Sequence, residues 1–226
     1  MKLAFSIFLT FIAIFSNCFA KEKLKKVNIN LIRLIHDNDY QEKKGYTGII
    51  LGKKYPQNRA ILTAITENKI KLNVLGVRLI LVEHLIEDSE SFFALSKSLK
   101  YESIFILDLP EKILERIIPN LPSNAAFFNA RNSKNIFRQG FCKKNLFNII
   151  PSDKMYTDAI AQFLVSKNWK KVMILYGPNE RDKNKYLSFV DSSKKFKLKI
   201  IDEKKFTLSK NPSERKNNNL KLLTKG

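Results

Sequence analysis

The polar residues best placed to do chemistry follow short apolar runs. Asp37 and Asp39 come directly after residues 27–35, where they could bind a cation or lie in a solvated loop. His36 and His84 each stand at the end of an apolar run, a position typical of a hydrogen-bonded structural histidine. These residue types alone do not define a reaction, which would also require a known spacing of catalytic residues.

None of the common catalytic or phosphate-binding motifs occurs in the sequence. The glycine-rich phosphate loops, HExxH, CxxC and GxSxG are all absent. The sequence therefore indicates no metal and no cofactor, and it favours a protein that is not an enzyme. The alternative is an exported enzyme on a doubly wound sheet, since a fold does not fix a function.

The first twenty residues have the pattern of a secretory signal peptide. Lys2 precedes an almost wholly apolar stretch over residues 3–15, and Ala20 supplies the small residue before the predicted cleavage. An uncleaved anchor and a lipoprotein signal through Cys18 are the alternatives. Cleavage leaves Cys142 as the single cysteine, and without a nearby histidine it is predicted to be a buried small hydrophobic residue rather than a catalytic thiol.

Alternating strands and helices must position these residues. The strands are predicted from β-branched or continuous apolar runs, and the helices from apolar spacing and from caps such as Ser89 and Ser152. One amphipathic helix after Ser152 carries Tyr156, Ile160 and Phe163 on a single apolar face. The predicted strands cover residues 27–35, 78–83, 103–107, 124–128, 147–150, 171–176 and 198–202; the predicted helices cover 56–69, 91–100, 111–118, 152–164 and 181–196.

Strands that alternate with helices predict an α/β fold with parallel sheets and right-handed crossovers. Ligands of such sheets bind beyond the carboxyl ends of the strands, where helix N-termini offer free N–H groups. The alternative is that these segments are ordinary connecting loops. The strand ends in question are residues 36–40, 83–85, 108–110, 129–132, 152 and 176–179.

The chain has a formal net charge of +20 over 226 residues. Such a charge can indicate binding to nucleic acid or to an anionic membrane. The lysines are scattered, however, and the chain is equally rich in Ile, Asn and Phe, which is typical of low-GC codon bias. Because the leader predicts export, nucleic acid is not expected as a partner.

Residues 147–201 resemble the crossover into the second lobe of type I periplasmic binding proteins, the receptors of Leu/Ile/Val ABC importers. The shared pattern is Phe147-x-x-x-Pro151-Ser152, an amphipathic helix ending at Trp169, a strand, a polar turn, a long helix and another strand. Residues 124–132 are similar to the strand and loop before that crossover. The stretch from Cys142 to Leu164 is similar to a subfamily associated with pyrroloquinoline-quinone-dependent alcohol catabolism.

The resemblance implies a two-lobed, Rossmann-like protein that closes on a small solute in the periplasm without covalent chemistry. It places the first lobe at residues 21–146 and the second at 147–226, and it implies membrane subunits of an ABC importer as partners. The second lobe is expected to be incomplete, so a truncated product or a non-functional remnant is a further alternative. By position, the resemblance implies these ligand-binding residues: Asp108, Asn129, Arg131 and Asn132 from the first lobe, and Tyr176 and Asp182 from the second.

Two departures from the family pattern bear on the solute. Residues 107–110 replace the Ser/Thr-rich loop that holds an amino acid, and residues 130–132 replace a Gly-Ala-Thr-like loop. An amino-acid solute is therefore in question, whereas Arg131 is predicted to pair with an anionic solute and Asp108 to accept from a donor.

Overall fold

The computed structural model describes residues 24–44, 50–52, 54–99, 104–207 and 219–224. The predicted leader lies outside these residues. The strands, in chain order, are β1 (Lys25–Leu34), β2 (Lys43–Lys44), β3 (Ile50–Gly52), β4 (Val77–Ile86), β5 (Ile104–Asp108), β6 (Ala126–Asn129), β7 (Leu146–Asn148), β8 (Lys171–Tyr176) and β9 (Lys199–Lys205).

The helices connect these strands. They are α1 (Asn58–Glu67), α2 (Lys69–Val74), α3 (Ser89–Ser98), α4 (Glu111–Ile117), α5 (Ile136–Gln139), α6 (Asp153–Ser166), α7 (Glu180–Lys195) and α8 (Leu220–Leu223), with 3-10 turns at Asn38–Tyr40 and Ile118–Asn120. The cap of α3, predicted at Ser89 or nearby, is Asp88, which accepts a hydrogen bond from the backbone N–H of Ser91 (2.8 Å). Ser152 caps α6 as predicted.

The main sheet is parallel throughout and has the order β4-β1-β5-β6-β7. Its central strands are buried on both faces, which explains their continuous apolar runs. Phe105 on β5 and Phe127 on β6 stack with ring centroids 5.0 Å apart. Phe92 of α3 and Leu114 of α4 complete this core, and each such side chain contributes about 1.5–3 kcal/mol by leaving water.

A second, smaller unit follows the main sheet. Strands β8 and β9 are parallel, pair with each other, and are joined by α7. This is the strand–helix–strand unit that the sequence predicts, in a sheet of its own. The strand predicted around Phe147 belongs instead to the edge of the main sheet, where β7 pairs with β6.

Helix α6 contacts α7 through small and polar side chains rather than through its predicted apolar face. The Thr157 hydroxyl lies 2.8 Å from the Ser192 hydroxyl and donates to the backbone oxygen of Ser188 (3.1 Å). These small residues let the two helices approach closely. Tyr156, Ile160 and Phe163 are consequently about half exposed, so the apolar face that the spacing predicts is not the surface that contacts α7.

Cys142 is also placed differently from the prediction. It lies in the turn between α5 and β7, and it is exposed rather than buried. The short helix α5 turns the chain here.

Candidate functional site

The charged residues of the main sheet converge at its carboxyl edge. Three connections meet there: the one after β1 brings Asp37, Asp39 and Tyr40, the one after β5 begins at Asp108, and the one after β6 brings Arg131. Adjacent parallel strands end side by side, so residues far apart in sequence become neighbours at this edge.

Asp108 is a fully buried carboxylate at the end of the central strand β5. The Tyr40 hydroxyl lies 2.6 Å from each of its oxygens and donates to them. Two guanidinium groups stand further off, with Arg131 Nη1 at 3.7 Å and Arg33 Nε at 3.9 Å. Burial raises the pKa of Asp108 above its usual range, and the Tyr40 hydrogen bond and the two arginines offset this only in part.

Arg131 is held by the two carboxylates that follow β1. Its Nη1 and Nη2 donate to Asp37, with 3.1 Å from Nη2 to Oδ1, and Nη2 also donates to Asp39 Oδ2 at 2.7 Å. Burial would lower the pKa of Arg131, but the acidic neighbours, Asp37 first, raise it above its usual value. Burial likewise works to raise the pKa of Asp39, but Arg131, together with the charges of Lys54 and Arg181, outweighs it, so that this pKa is lowered.

Tyr40 lies between the two arginines. The guanidinium carbons of Arg33 and Arg131 are each 5.4 Å from the centroid of its ring, within the range of a cation–π contact. Arg33 also donates to Glu83 at the end of β4. The edge is thus one connected set of charges around a phenol ring.

Asn129 and Asn132 shape the loop that carries Arg131. The Asn129 side-chain oxygen accepts from the backbone N–H groups of Arg131 (3.3 Å) and Asn132 (2.9 Å), and its nitrogen donates to Asn148 Oδ1 (2.7 Å). Asn132 donates to the backbone oxygen of Leu109 at 2.7 Å. Both amides are already engaged with the protein, so their geometry fits positioning of the loop.

A crevice separates this edge from the second unit. It encloses about 390 Å³ and has Asp37, Asp39 and Arg131 on one wall and Glu180 and Arg181 at the start of α7 on the other. An adjoining cavity of about 320 Å³ shares Asp39, Arg131 and Arg181, and adds Tyr40 and Lys54. Volumes of this size suit a small solute.

Short polar contacts join the two walls at the base of the crevice. Ser133 donates its hydroxyl to Asp153 Oδ1, and the Asp153 backbone N–H donates to the Ser133 oxygen, both at 2.7 Å. Asn135 accepts from the backbone N–H of Lys154 at 3.1 Å and donates to Ser188 Oγ at 3.3 Å. The connection is therefore polar and small, which suits a hinge better than a fixed hydrophobic interface.

Tyr176 and Asp182 lie in a neighbouring cavity of about 610 Å³. Tyr176 stacks on Tyr186 with ring centroids 4.3 Å apart, and Asn179 donates to Asp182 at 3.2 Å. Arg181 lines this cavity as well as the crevice. The structure thus brings four of the six predicted residues together and places the other two beside them, beyond Arg181.

A cavity of about 600 Å³ lies at the opposite edge of the main sheet and is lined mainly by uncharged side chains such as Phe93, Leu99 and Pro122. We favour the crevice as the functional site because the oppositely charged groups converge there. No cluster of three metal-ligating side chains occurs in the described ranges. Within the same ranges, none of the helices combines the length and the apolar character needed to cross a bilayer.

Sequence reasoning missed the partners of the predicted residues. Tyr40, Arg33 and Arg181 were not singled out, and Asp37 and Asp39 were expected to bind a cation or solvent rather than an arginine. The available signal was position, since residues 36–40 follow a strand and Arg181 opens a helix. The position of Arg131 in the sequence does not reveal that its partner is Asp37, which lies 94 residues away.

The arrangement of a parallel five-stranded sheet, a second parallel unit and a crevice at the strand ends defines the fold of type I periplasmic binding proteins. Residues 126–225 match a family model described as the receptor family ligand binding region. No curated protein sequence matches this chain at a significant level.

Several solved structures that are similar to this chain are described as substrate-binding or ligand-binding proteins of ABC transporters. One from Desulfitobacterium hafniense, in complex with Leu, has 16% identity and a TM-score of 0.58, with 88% of this chain and 56% of that chain covered. A branched-chain amino acid ABC transporter ligand-binding protein from Burkholderia xenovorans has 7% identity and a TM-score of 0.59 (81% and 47% covered). One from Sphaerobacter thermophilus has 9% identity and a TM-score of 0.60 (82% and 48% covered).

The present chain spans about half the length of these solved structures. The matched family and the solved structures are described as receptors and binding proteins rather than enzymes.

Proposed function

We propose that the chain is the substrate-binding component of an ABC importer and captures a small solute between its two α/β units. The observation that carries this proposal is the crevice, where a paired Arg131 on one wall faces Arg181 and Glu180 on the other. A solute that binds the closed state better than the open state shifts the protein towards the closed state.

We infer an amino-acid-like solute that carries both a donor and an anionic group. Asp39 is the more exposed carboxylate of the Arg131 cluster, with 40% of its side chain accessible against 5% for Asp37. It is therefore the carboxylate that a solute amine could reach. Arg181 is exposed, and its charge acts on Asp39 without forming an ion pair among the described residues, so its guanidinium can meet a solute carboxylate.

Arg131 does not form an open anion-binding site. Its charge is already shared between Asp37 and Asp39, so an anionic solute would compete with these carboxylates. We propose that Arg131 contacts the solute while Asp37 fixes its orientation, and that Asp108 holds Tyr40 in place. Asn129 and Asn132 support the loop, and Tyr176 and Asp182 extend the site into the neighbouring cavity.

The cellular setting is part of the same proposal. Export by a leader cleaved after Ala20 follows from the pattern of residues 1–20. Residence in the periplasm, delivery to importer membrane subunits and a division into residues 21–146 and 147–226 follow from the resemblance, with β7 at the boundary in the main sheet. The finer assignment to the alcohol-catabolism subfamily also belongs here. It adds short alcohols and the corresponding carboxylates to the solutes worth testing.

The test is a thermal-shift screen of amino acids, short alcohols and small carboxylates, followed by calorimetry with any hit. A ligand that binds only the folded state raises the melting temperature. We expect Arg131→Ala and Arg181→Ala each to weaken binding about tenfold or more, since a charge-assisted hydrogen bond contributes about 1.5–3 kcal/mol. Arg116→Ala, an exposed arginine on α4, is the matched control. Chemical conversion of the hit, or unchanged affinity in both variants, would contradict the proposal.

A further inference from the structure

Two connections meet at the end of the second unit that lies opposite the crevice. Residues 167–171 lead from α6 into β8, and residues 194–199 lead from α7 into β9. The Lys199 backbone N–H donates to the Lys170 oxygen at 2.7 Å, and Lys171 stands opposite Lys199 in the strand register. We call this surface the basic pole.

The basic pole carries a dense positive charge. Its two segments contain no acidic residue, and all their lysines are exposed: Lys167, Lys170, Lys171, Lys194, Lys195, Lys197 and Lys199. Among these seven lysines, only Lys195 forms an ion pair within the described residues, with Asp158 at 2.6 Å. The pole therefore concentrates charge well beyond the scattered lysines of the rest of the chain.

Fold stability alone does not account for this arrangement. Like charges directly opposite each other on paired strands are destabilising, and Lys171 faces Lys199. Helices α6 and α7 both end here, and a helix C-terminus attracts cations, but each C-terminus presents only about half a negative charge. Most of the positive charge therefore has no counter-charge among the described residues.

Aromatic rings lie beside these lysines. Trp169 is 59% exposed and Phe163 is 54% exposed, and their rings meet edge to face with centroids 6.4 Å apart. Lys167 Nζ lies 5.7 Å from the Phe163 ring centroid. Tryptophan next to lysine is the pairing that suits the boundary between lipid headgroups and acyl chains.

We propose that the basic pole binds the surface of an anionic phospholipid bilayer. Charge complementarity supplies the attraction, and the exposed rings of Trp169 and Phe163 supply a shallow apolar insertion. The second unit helps to line two cavities, and both lie at the opposite end of β8. Neither of these grooves belongs to the basic pole. Single-stranded nucleic acid is bound in positively charged grooves, so a flat lipid surface fits this pole better.

The sequence supplies a direct reporter, because Trp169 is its single tryptophan. We expect vesicles of phosphatidylcholine mixed with phosphatidylglycerol to shift the Trp169 emission to shorter wavelength, and pure phosphatidylcholine vesicles to leave it unchanged. Each lysine near an anionic surface changes the affinity by roughly fivefold. The variant Lys170→Gln/Lys171→Gln/Lys199→Gln should thus bind roughly a hundredfold more weakly, and added salt should weaken the wild type.

The matched control is Lys144→Gln/Lys183→Gln/Lys205→Gln, which removes three exposed lysines outside the pole. It should lose far less affinity than the pole variant. The pole variant should melt no lower than the wild type, because it relieves the Lys171–Lys199 repulsion, so misfolding cannot explain a loss of binding. Equal losses in both variants, no emission shift, or tighter binding to a single-stranded oligonucleotide than to the vesicles would overturn the proposal.

Discussion

The hydroxyl of Tyr40 donates to the buried carboxylate of Asp108, 2.6 Å from each oxygen, across 68 residues of sequence. This contact fastens the loop after β1 to the end of β5. The loop carries Asp37 and Asp39, so the contact also fixes the position of the carboxylates that hold Arg131. The predictions below follow from this edge of the sheet and from the second unit.

Tyr40→Phe should destabilise the protein by about 1.5–3 kcal/mol, since it removes a hydrogen bond to a buried charged acceptor. The measurement is urea unfolding at neutral pH. Tyr55→Phe is the control, because Tyr55 is 61% exposed, and it should change the free energy of unfolding by less than about 0.5 kcal/mol. Equal effects of the two substitutions would show that the Tyr40–Asp108 contact carries no energy.

Arg131→Ala should cost about 3–5 kcal/mol, because it leaves the buried carboxylate of Asp37 without its counter-charge and removes one of the two arginines near Asp108. Asp37→Asn in the same background should recover part of this loss. The check is a double-mutant cycle by urea unfolding, with a coupling energy of about 0.5–3 kcal/mol for residues in direct contact. Strictly additive effects would mean that the ion pair does not form in solution.

The Asp158 carboxylate should make stability depend on acid pH. Hydrogen bonds from Lys195 and Ser192 lower its pKa to about 2 from an ordinary 3.8. A lowered folded-state pKa adds stability that is present above the ordinary value and is lost as the pH falls towards 2. Lys195 is exposed, so solvent screening limits the contribution to below about 1 kcal/mol.

The corresponding experiment compares the wild type with Asp158→Asn in urea at several pH values. The wild type should be the more stable protein at pH 7, and the two curves should converge as the pH approaches about 2. Asp191→Asn, an exposed site on α7, the helix that carries Lys195, serves as the control. A difference between wild type and Asp158→Asn that persists at the lowest pH would rule out the ion pair as its source.

Gly177→Ala should disturb the cavity of the second unit. A Cβ at this position would collide with the Asp182 carboxylate and come within 3.3 Å of the Phe206 ring. We expect a loss of about 1–3 kcal/mol from overpacking, together with weaker binding of any solute that reaches Asp182. Melting curves and calorimetry measure the two effects.

Gly76→Ala provides the comparison for Gly177. Gly76 has a φ of +66° with open space around it, so alanine there costs about 1–2 kcal/mol in backbone conformation. It should lower the melting temperature without changing solute affinity. If both glycine variants lost affinity equally, the effect at Gly177 would be general destabilisation.

Local patterns predicted the strands and helices, but they did not predict what the helices touch. A continuous apolar run located β5 within a few residues, because a strand buried on both faces must be apolar throughout. Alternating, β-branched residues located β1. The apolar face of α6 was read correctly from its spacing. Its exposure depends on the tertiary contact with Ser188 and Ser192 of α7, which spacing does not reveal.

The sequence predicted which residues lie at the site, but it did not predict which residues they contact. Strand ends in a parallel sheet mark a binding edge, and Asp108, Asn129, Arg131 and Asn132 do lie there together. Their roles in the structure depend on contacts with Asp37, Asp39 and Tyr40, which a single sequence cannot supply. For the same reason Cys142 was expected to be buried, although a turn places it on the surface.

The most direct test of the central claim is hydrogen–deuterium exchange with and without a solute that raises the melting temperature. Capture between the two units predicts added protection at residues 37–40, 108–111 and 131–133 on one wall, and at 180–184 on the other. Protection confined to one wall, or located only around the cavity at Phe93 and Leu99, would contradict the claim.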